Sequence, residues 1–130
     1  YRTSLGCAMS LPVQLPSMAA WSDEEHVQSN RALYREKFSA VTEILADVLD
    51  FPKPDASFYL WAQTPIDDAE FARGLFEQQN VTLLPGQFVS RASTNGNPGQ
   101  NRVRMALVAS TEECVEAALR IKQYAQGLAL

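Results

Sequence analysis

The sequence is poor in the residues on which several kinds of functional site depend. It has one histidine and two cysteines among 130 residues, and its formal net charge is −4. His26 follows Asp23, Glu24 and Glu25, a pattern typical of the solvated first turn of a helix, so we expect neither a catalytic triad nor a histidine-rich metal site. The negative charge argues against a general nucleic-acid binder. No apolar run approaches the roughly 20 residues that cross a bilayer, so we expect no membrane span.

The two cysteines also exclude a common type of site. Cys7 and Cys114 lie far apart and follow no Cys-x-x-Cys or Cys/His metal spacing. A single disulfide between them stays open, but two buried free thiols in a reducing cytoplasm are favoured, so we expect a cytoplasmic protein. The six glycines are scattered and form no phosphate-binding or dinucleotide fingerprint.

What the sequence does contain is the composition of one globular domain. Hydrophobic residues make up 46% of the chain and charged residues 20%, which allows a sizeable core. The first residue is Tyr1 rather than Met, and no signal-peptide pattern follows it. We therefore expect the numbering to begin inside a longer protein.

The apolar spacing predicts four helices. A short one covers residues 12–21, and a long one covers about 23–49, where Ser22 and Glu25 form a capping box. The long helix has apolar residues at steps of three and four, and it is longer than a domain of this size requires. Two more helices begin at Asp67 and Ser110, each with a glutamate three residues later. The apolar face of the long helix comprises Tyr34, Phe38, Val41, Leu45 and Val48.

Three apolar segments read as strands between these helices. They are residues 58–62, 81–84 and 102–109, and in the last one Arg104, Ala106 and Val108 share a face. The order predicts an α+β fold, with a small mixed or antiparallel sheet covered by helices and preceded by the long helix. We expect three parts: a lead-in segment (1–22), the long helix (23–50) and an α+β domain (51–130).

A long connection and a patch of positive charge mark the candidate site. Residues 84–101 show no helical or strand period, and structureless connections of this length are usually functional or disordered. No carboxylate occurs between Glu77 and Glu112, yet Arg91, Arg102 and Arg104 lie there. An arginine fork suits a carboxylate or phosphate, and Arg104 is the best candidate because it lies within an apolar strand. Alternatively, the loop is a flexible hairpin end and Arg102 only caps a sheet edge.

The three lysines have ordinary settings. Lys37 and Lys122 lie on predicted helices, and Lys53 lies between two prolines. We expect none of them to be a catalytic amine.

Three blocks in series resemble the C-terminal segment of class I/II pyridoxal-phosphate aminotransferases. They are residues 58–61 (Phe-Tyr-Leu-Trp), residues 81–88 (Val-Thr-Leu-Leu-Pro-Gly-Gln-Phe) and residues 101–107 (Asn-Arg-Val-Arg-Met-Ala-Leu). Residues 1–10, 97–99 and 112–118 look more narrowly like the bacterial N-succinyldiaminopimelate aminotransferases of lysine synthesis. Ala56 and Ser57 stand where relatives often carry glycine, a minor departure because small residues are kept.

The resemblance implies a substrate site and two larger neighbours. It implies that Arg104 grips the α-carboxylate of the substrate and that the turn with Pro85, Gly86 and Phe88 borders the substrate pocket. The long helix would link this small domain to a large cofactor domain. The segment near Met9 and Ser10 would approach the partner's site in a homodimer.

The resemblance also implies what this chain lacks. The lysine that binds pyridoxal phosphate and the aspartate that pairs with its pyridine nitrogen would lie before Tyr1, so the fragment alone should be inactive. The sequence leaves the keto-acid acceptor open. Two other readings remain: a stand-alone α+β module that binds a small carboxylate, and a dimerisation module, which does not account for the acid-free arginines.

Overall fold

The computed structural model describes residues 9–128, and the chain separates into two compact units, residues 1–33 and 34–130. Cys7 lies outside the described residues. Within residues 9–128, no helix combines the length and the apolar character that a membrane crossing needs.

Helix α1 (Leu11–Ser22) lies in the first unit, as the pattern of residues 12–21 predicts. Proline in its first turn costs little, because the first amides of a helix have no carbonyl partner. None of its residues is buried. The predicted capping box at Ser22 is wrong: Ser22 ends α1, and the Asp23 carboxylate instead accepts the Glu25 amide at 3.1 Å. His26 lies in the first turn of the next helix, exposed and 3.0 Å from Asp23.

Helix α2 (Glu25–Leu45) has 21 residues, so it is shorter than the predicted range of 23–49. The backbone tightens after Leu45, where the Val48 amide donates to the Leu45 carbonyl at 3.1 Å. Two of the predicted apolar residues, Val41 and Leu45, are fully buried, and three others contact the core more loosely. These three are Tyr34, Phe38 and Val48.

The sheet has three antiparallel strands in the order β1-β3-β2. They are β1 (Tyr59–Gln63), β2 (Leu84–Pro85) and β3 (Arg102–Ala106). The predicted strand over 81–84 is wrong for its first three residues, because Val81 and Leu83 pack against the core instead of pairing with β3. The predicted strand over 102–109 ends at Ala106, and the next amide, that of Leu107, donates to Phe58 at 2.9 Å.

Two helices complete the second unit: α3 (Asp68–Gln79) and α4 (Thr111–Leu128). The Asp67 carboxylate caps α3 by accepting from Ala69 and Glu70, each at 3.1 Å. Ser110 and Glu113 form the predicted reciprocal capping box of α4, with bonds of 3.0 and 3.2 Å. The two helices pack together over one face of the sheet. The α+β prediction is confirmed.

Candidate functional site

Arg104 lies at the centre of the sheet, on the face opposite the core. Strand β3 alternates, so Val103 and Met105 are buried while Arg102, Arg104 and Ala106 lie on the more open face. The register places Trp61 of β1 and Leu84 of β2 on either side of Arg104. The two strand arginines therefore share a face, and Arg104 is flanked there by apolar side chains.

Among the described residues, the guanidinium of Arg104 has an aromatic neighbour but forms no ion pair with an acidic one. Its Cζ lies 5.5 Å from the centroid of the Tyr59 ring, a cation–π distance. Within residues 9–128, the ion pairs formed involve Arg120, Lys122 and His26, and none involves Arg104. A partly buried guanidinium without a counter-ion favours the approach of an anion, because the pair would form in a less hydrated setting than bulk water.

The turn that follows β2 lies beside this face. Residues Gly86–Phe88 form a short 3-10 helix, in which Gly86 is buried and Phe88 is 69% exposed. A Cβ on Gly86 would lie 2.3 Å from the Gly99 carbonyl oxygen and 2.9 Å from Cη2 of Trp61. The structure thus places Gly86 against Trp61, which pairs with Arg104 across the sheet. The Phe88 ring, in contrast, remains mostly exposed to solvent.

The long connection is more ordered than its sequence predicts. It begins with β2 and the 3-10 helix, and the Ser90 hydroxyl donates to the Gly86 carbonyl at 2.8 Å. The Asn97 side chain in turn accepts the Gly99 amide at 3.0 Å. A tight turn pairs Ser93 with Gly96 at the exposed end. Arg91 lies in this exposed part of the connection, whereas Arg102 and Arg104 are half-buried on β3.

Asp68 is the residue that sequence reasoning missed. It is fully buried at the start of α3, and its Oδ2 accepts the Gln87 amide at 2.9 Å. Its Oδ1 accepts the Gln87 side-chain amide and the Asn101 amide, both at 3.1 Å. The sequence offered only an acidic pair, Asp67 and Asp68, at a helix start, which usually indicates capping on a solvated surface.

A cavity of about 370 Å³ lies between residues 81–84, the end of β3 and α4. Its walls are mainly apolar, and Cys114 forms part of them. The Cys114 thiol is free, and burial raises its pKa. A thiol with a raised pKa is a poor nucleophile at neutral pH, so we assign this cysteine to the core.

The three lysines of the described residues lie in separate settings, and two of them are held by other groups. The Lys37 Nζ, which is buried, donates to the Leu107 carbonyl at 3.3 Å and lies 5.2 Å from the centre of the Tyr34 ring. The Lys122 Nζ is held by Asp47 at 2.6 Å, and Lys53 lies in the irregular segment before β1. Residues 9–128 also contain no cluster of His, Cys, Asp or Glu suited to a metal ion.

Comparison with known proteins identifies aminotransferases, although no protein-family model matches the chain. The LL-diaminopimelate aminotransferase of Aquifex aeolicus is 34% identical over 102 residues, or 76% of this chain and 25% of that protein. The crystal structure of an aminotransferase from Neisseria meningitidis is 52% identical with a TM-score of 0.85, over 95% of this chain and 32% of that one.

A probable N-succinyldiaminopimelate aminotransferase from Thermus thermophilus is 36% identical with a TM-score of 0.69, over 82% of this chain and 28% of that one. The chain thus spans a quarter to a third of the length of these relatives. The resemblance drawn from the sequence blocks is confirmed: over most of its length, this chain matches part of the aminotransferases, both in sequence and in its α+β small-domain fold.

Proposed function

We propose that this chain is the C-terminal small-domain portion of a pyridoxal-phosphate aminotransferase and that Arg104 binds the α-carboxylate of its substrate. The observation that carries the proposal is an arginine at the centre of an open sheet face, without an acidic partner among the described residues, in a chain that matches aminotransferases. We propose three parts: residues 1–22 are a lead-in segment from a large domain, residues 23–50 an inter-domain helix, and residues 51–130 the α+β small domain.

The surroundings of Arg104 suit a carboxylate for two reasons. Its cross-strand partners, Trp61 and Leu84, are apolar, and Arg104 is half-buried between them, a setting that strengthens a charge pair. The guanidinium fork can form two parallel hydrogen bonds with a carboxylate and so fixes both its position and its plane. A substrate held in this way has its Cα presented in one orientation to groups outside this chain.

The turn at Gly86 and Phe88 supports the role of a pocket border. The absence of a side chain at Gly86 lets the turn approach Trp61 closely, so the backbone forms a wall next to Arg104. The exposed Phe88 ring gives this wall an apolar rim. We propose that the rim contacts the part of the substrate beyond its α-carbon.

We propose substrates related to diaminopimelate, with glutamate as the amino-group partner, in lysine synthesis by a cytoplasmic homodimer. The support is the recurrence of LL-diaminopimelate and N-succinyldiaminopimelate aminotransferases among the relatives. We expect the cofactor lysine to lie outside this chain, so the isolated chain should not transaminate. Pyridoxal phosphate would be held by the large domain of the whole protein.

Transfer of an amino group to 2-oxoglutarate, measured as glutamate formed by the whole protein, tests the proposal. LL-diaminopimelate, its N-succinyl derivative and a plain amino acid such as alanine serve as donors. Turnover with either diaminopimelate compound at least ~10-fold faster than with alanine supports the proposed substrate class. Absence of transfer from all three contradicts the proposal.

The second candidate is a stand-alone module that binds a small carboxylate. It is favoured only by the acid-free arginine face itself. The two readings separate in the whole protein: amino-group transfer supports the aminotransferase, and binding of a carboxylate without any transfer supports the stand-alone module. Treatment of the isolated chain with pyridoxal phosphate and then borohydride is an additional check. A stoichiometric pyridoxyl label on one lysine would contradict our account, which predicts none.

A further inference from the structure

We infer that Asp68 is a positioning residue that holds the Gly86–Phe88 turn and the start of β3 in one arrangement. The inference rests on the proposed function, because it concerns the substrate site that contains Arg104. The hydrogen bonds of Asp68 run to Gln87 and Asn101, so it acts on the site through the backbone of both site segments.

The carboxylate joins three elements at one point. Asp68 is the first residue of α3, and its carboxylate accepts two backbone amides. One is that of Gln87, between Gly86 and Phe88, and the other is that of Asn101, just before β3. The Asn101 carbonyl accepts the Thr64 amide at 2.8 Å, so both backbone groups of Asn101 are fixed. The two segments proposed to contact the substrate are therefore fastened to the same buried side chain.

The two acceptor oxygens of an aspartate side chain are what this arrangement needs. Three N–H donors point at Asp68, and two oxygens that carry only acceptor sites satisfy all of them. Asn101 has φ +55, a left-handed conformation that non-glycine residues adopt at a cost, so its position depends on such bonds. Complete burial of Asp68 excludes water as a substitute acceptor.

Asp68→Asn tests the inference with almost no change of shape. One carboxylate oxygen becomes an NH₂ group that faces donors, so at least one of the three N–H groups loses its acceptor. Asp67→Asn is the matched control: asparagine caps a helix as well as aspartate does, and Asp67 reaches Gln87 only through a side-chain contact of 3.5 Å.

In the whole enzyme, we expect Asp68→Asn to raise KM for the amino donor at least ~10-fold while changing the Kd for pyridoxal phosphate less than ~2-fold. Asp67→Asn should leave both within ~2-fold. Gln87→Ala keeps the backbone bond to Asp68 and removes only the side-chain bond, so it should raise KM by less than Asp68→Asn does. It provides the test if Asp68→Asn does not fold. An unchanged KM in a folded Asp68→Asn, or in Gln87→Ala if Asp68→Asn does not fold, would overturn the inference.

Hydrogen exchange of the Gln87 and Asn101 amides separates this inference from the proposed function. Faster exchange at both amides in Asp68→Asn, together with the raised KM, supports the inference. Faster exchange without a change in KM shows a purely structural contact and overturns the positioning role. An inactive wild-type enzyme overturns the proposed function, and the positioning role falls with it, although the exchange data still report the contact.

Discussion

Replacement of Gly86 by alanine tests the close approach on which the proposed pocket wall depends. The added Cβ would lie 2.3 Å from the Gly99 carbonyl oxygen and 2.8 Å from the Arg102 carbonyl oxygen, both backbone atoms that cannot rotate away. Overpacking of this kind costs about 1–3 kcal/mol, and we expect the upper part of that range because two backbone segments must shift. With an m value of about 1.5 kcal/mol/M, a loss of at least about 2 kcal/mol lowers the urea midpoint by more than about 1 M.

Tryptophan fluorescence reports this unfolding directly. Trp61 contacts the turn, whereas Trp21 is 87% exposed in the folded chain and contributes little change. Gly127→Ala is the control: no atom lies within 4 Å of its Cβ position, and alanine in a helix is favoured over glycine by up to about 1 kcal/mol. A Gly86→Ala midpoint within about 0.3 M of wild type would refute the reasoning.

Three further outcomes follow from individual contacts. Ser110→Ala removes the hydroxyl that accepts the Glu113 amide, so it should cost about 1 kcal/mol in urea unfolding, and no loss would contradict the capping box. Hydrogen bonds from the Ser110 amide and hydroxyl lower the Glu113 pKa below its ordinary 4.5. The ionised Glu113 side chain therefore stabilises the fold above pH 4.5, and this contribution disappears as the pH falls through the pKa of the folded state. Glu113→Gln should therefore destabilise the chain at pH 7 but not at low pH, and an equal loss at both pH values in urea melts would contradict this. Exposed apolar residues on α1, Trp21 among them, should make the isolated chain self-associate, and a monomer at high concentration in sedimentation would refute that expectation.

The elements with a clear period could be predicted from the sequence. The alternation in β3 separates Arg104 from the buried Val103 and Met105, and the structure confirms that division. The capping box of α4 could be predicted because its two residues, Ser110 and Glu113, lie only three positions apart in the chain. Local signals of this kind identify the strand and the face that carry the candidate arginine.

The contacts that shape the site have no local signal. Asp68 looks like any acidic residue in the first turn of a helix, and its burial depends on Gln87 and Asn101, which are distant in sequence. Likewise, the backbones of Gly86 and Gly99 approach each other closely only in the folded chain, so the sequence around each glycine gives no sign of the contact. Residues 81–83 have strand composition, yet packing of their apolar side chains against the core prevails over pairing with β3.

The central claim is that Arg104 binds the substrate carboxylate, and Arg104→Lys in the whole enzyme tests it most directly. Lysine keeps the charge but loses the planar fork, so we expect kcat/KM to fall at least ~100-fold, which corresponds to about 2.7 kcal/mol, with pyridoxal-phosphate binding nearly unchanged. Arg102→Lys, on the same face but nearer the strand end, is the matched control and should cost much less. Near-normal transamination by Arg104→Lys, or an equal loss in Arg102→Lys, would contradict the account.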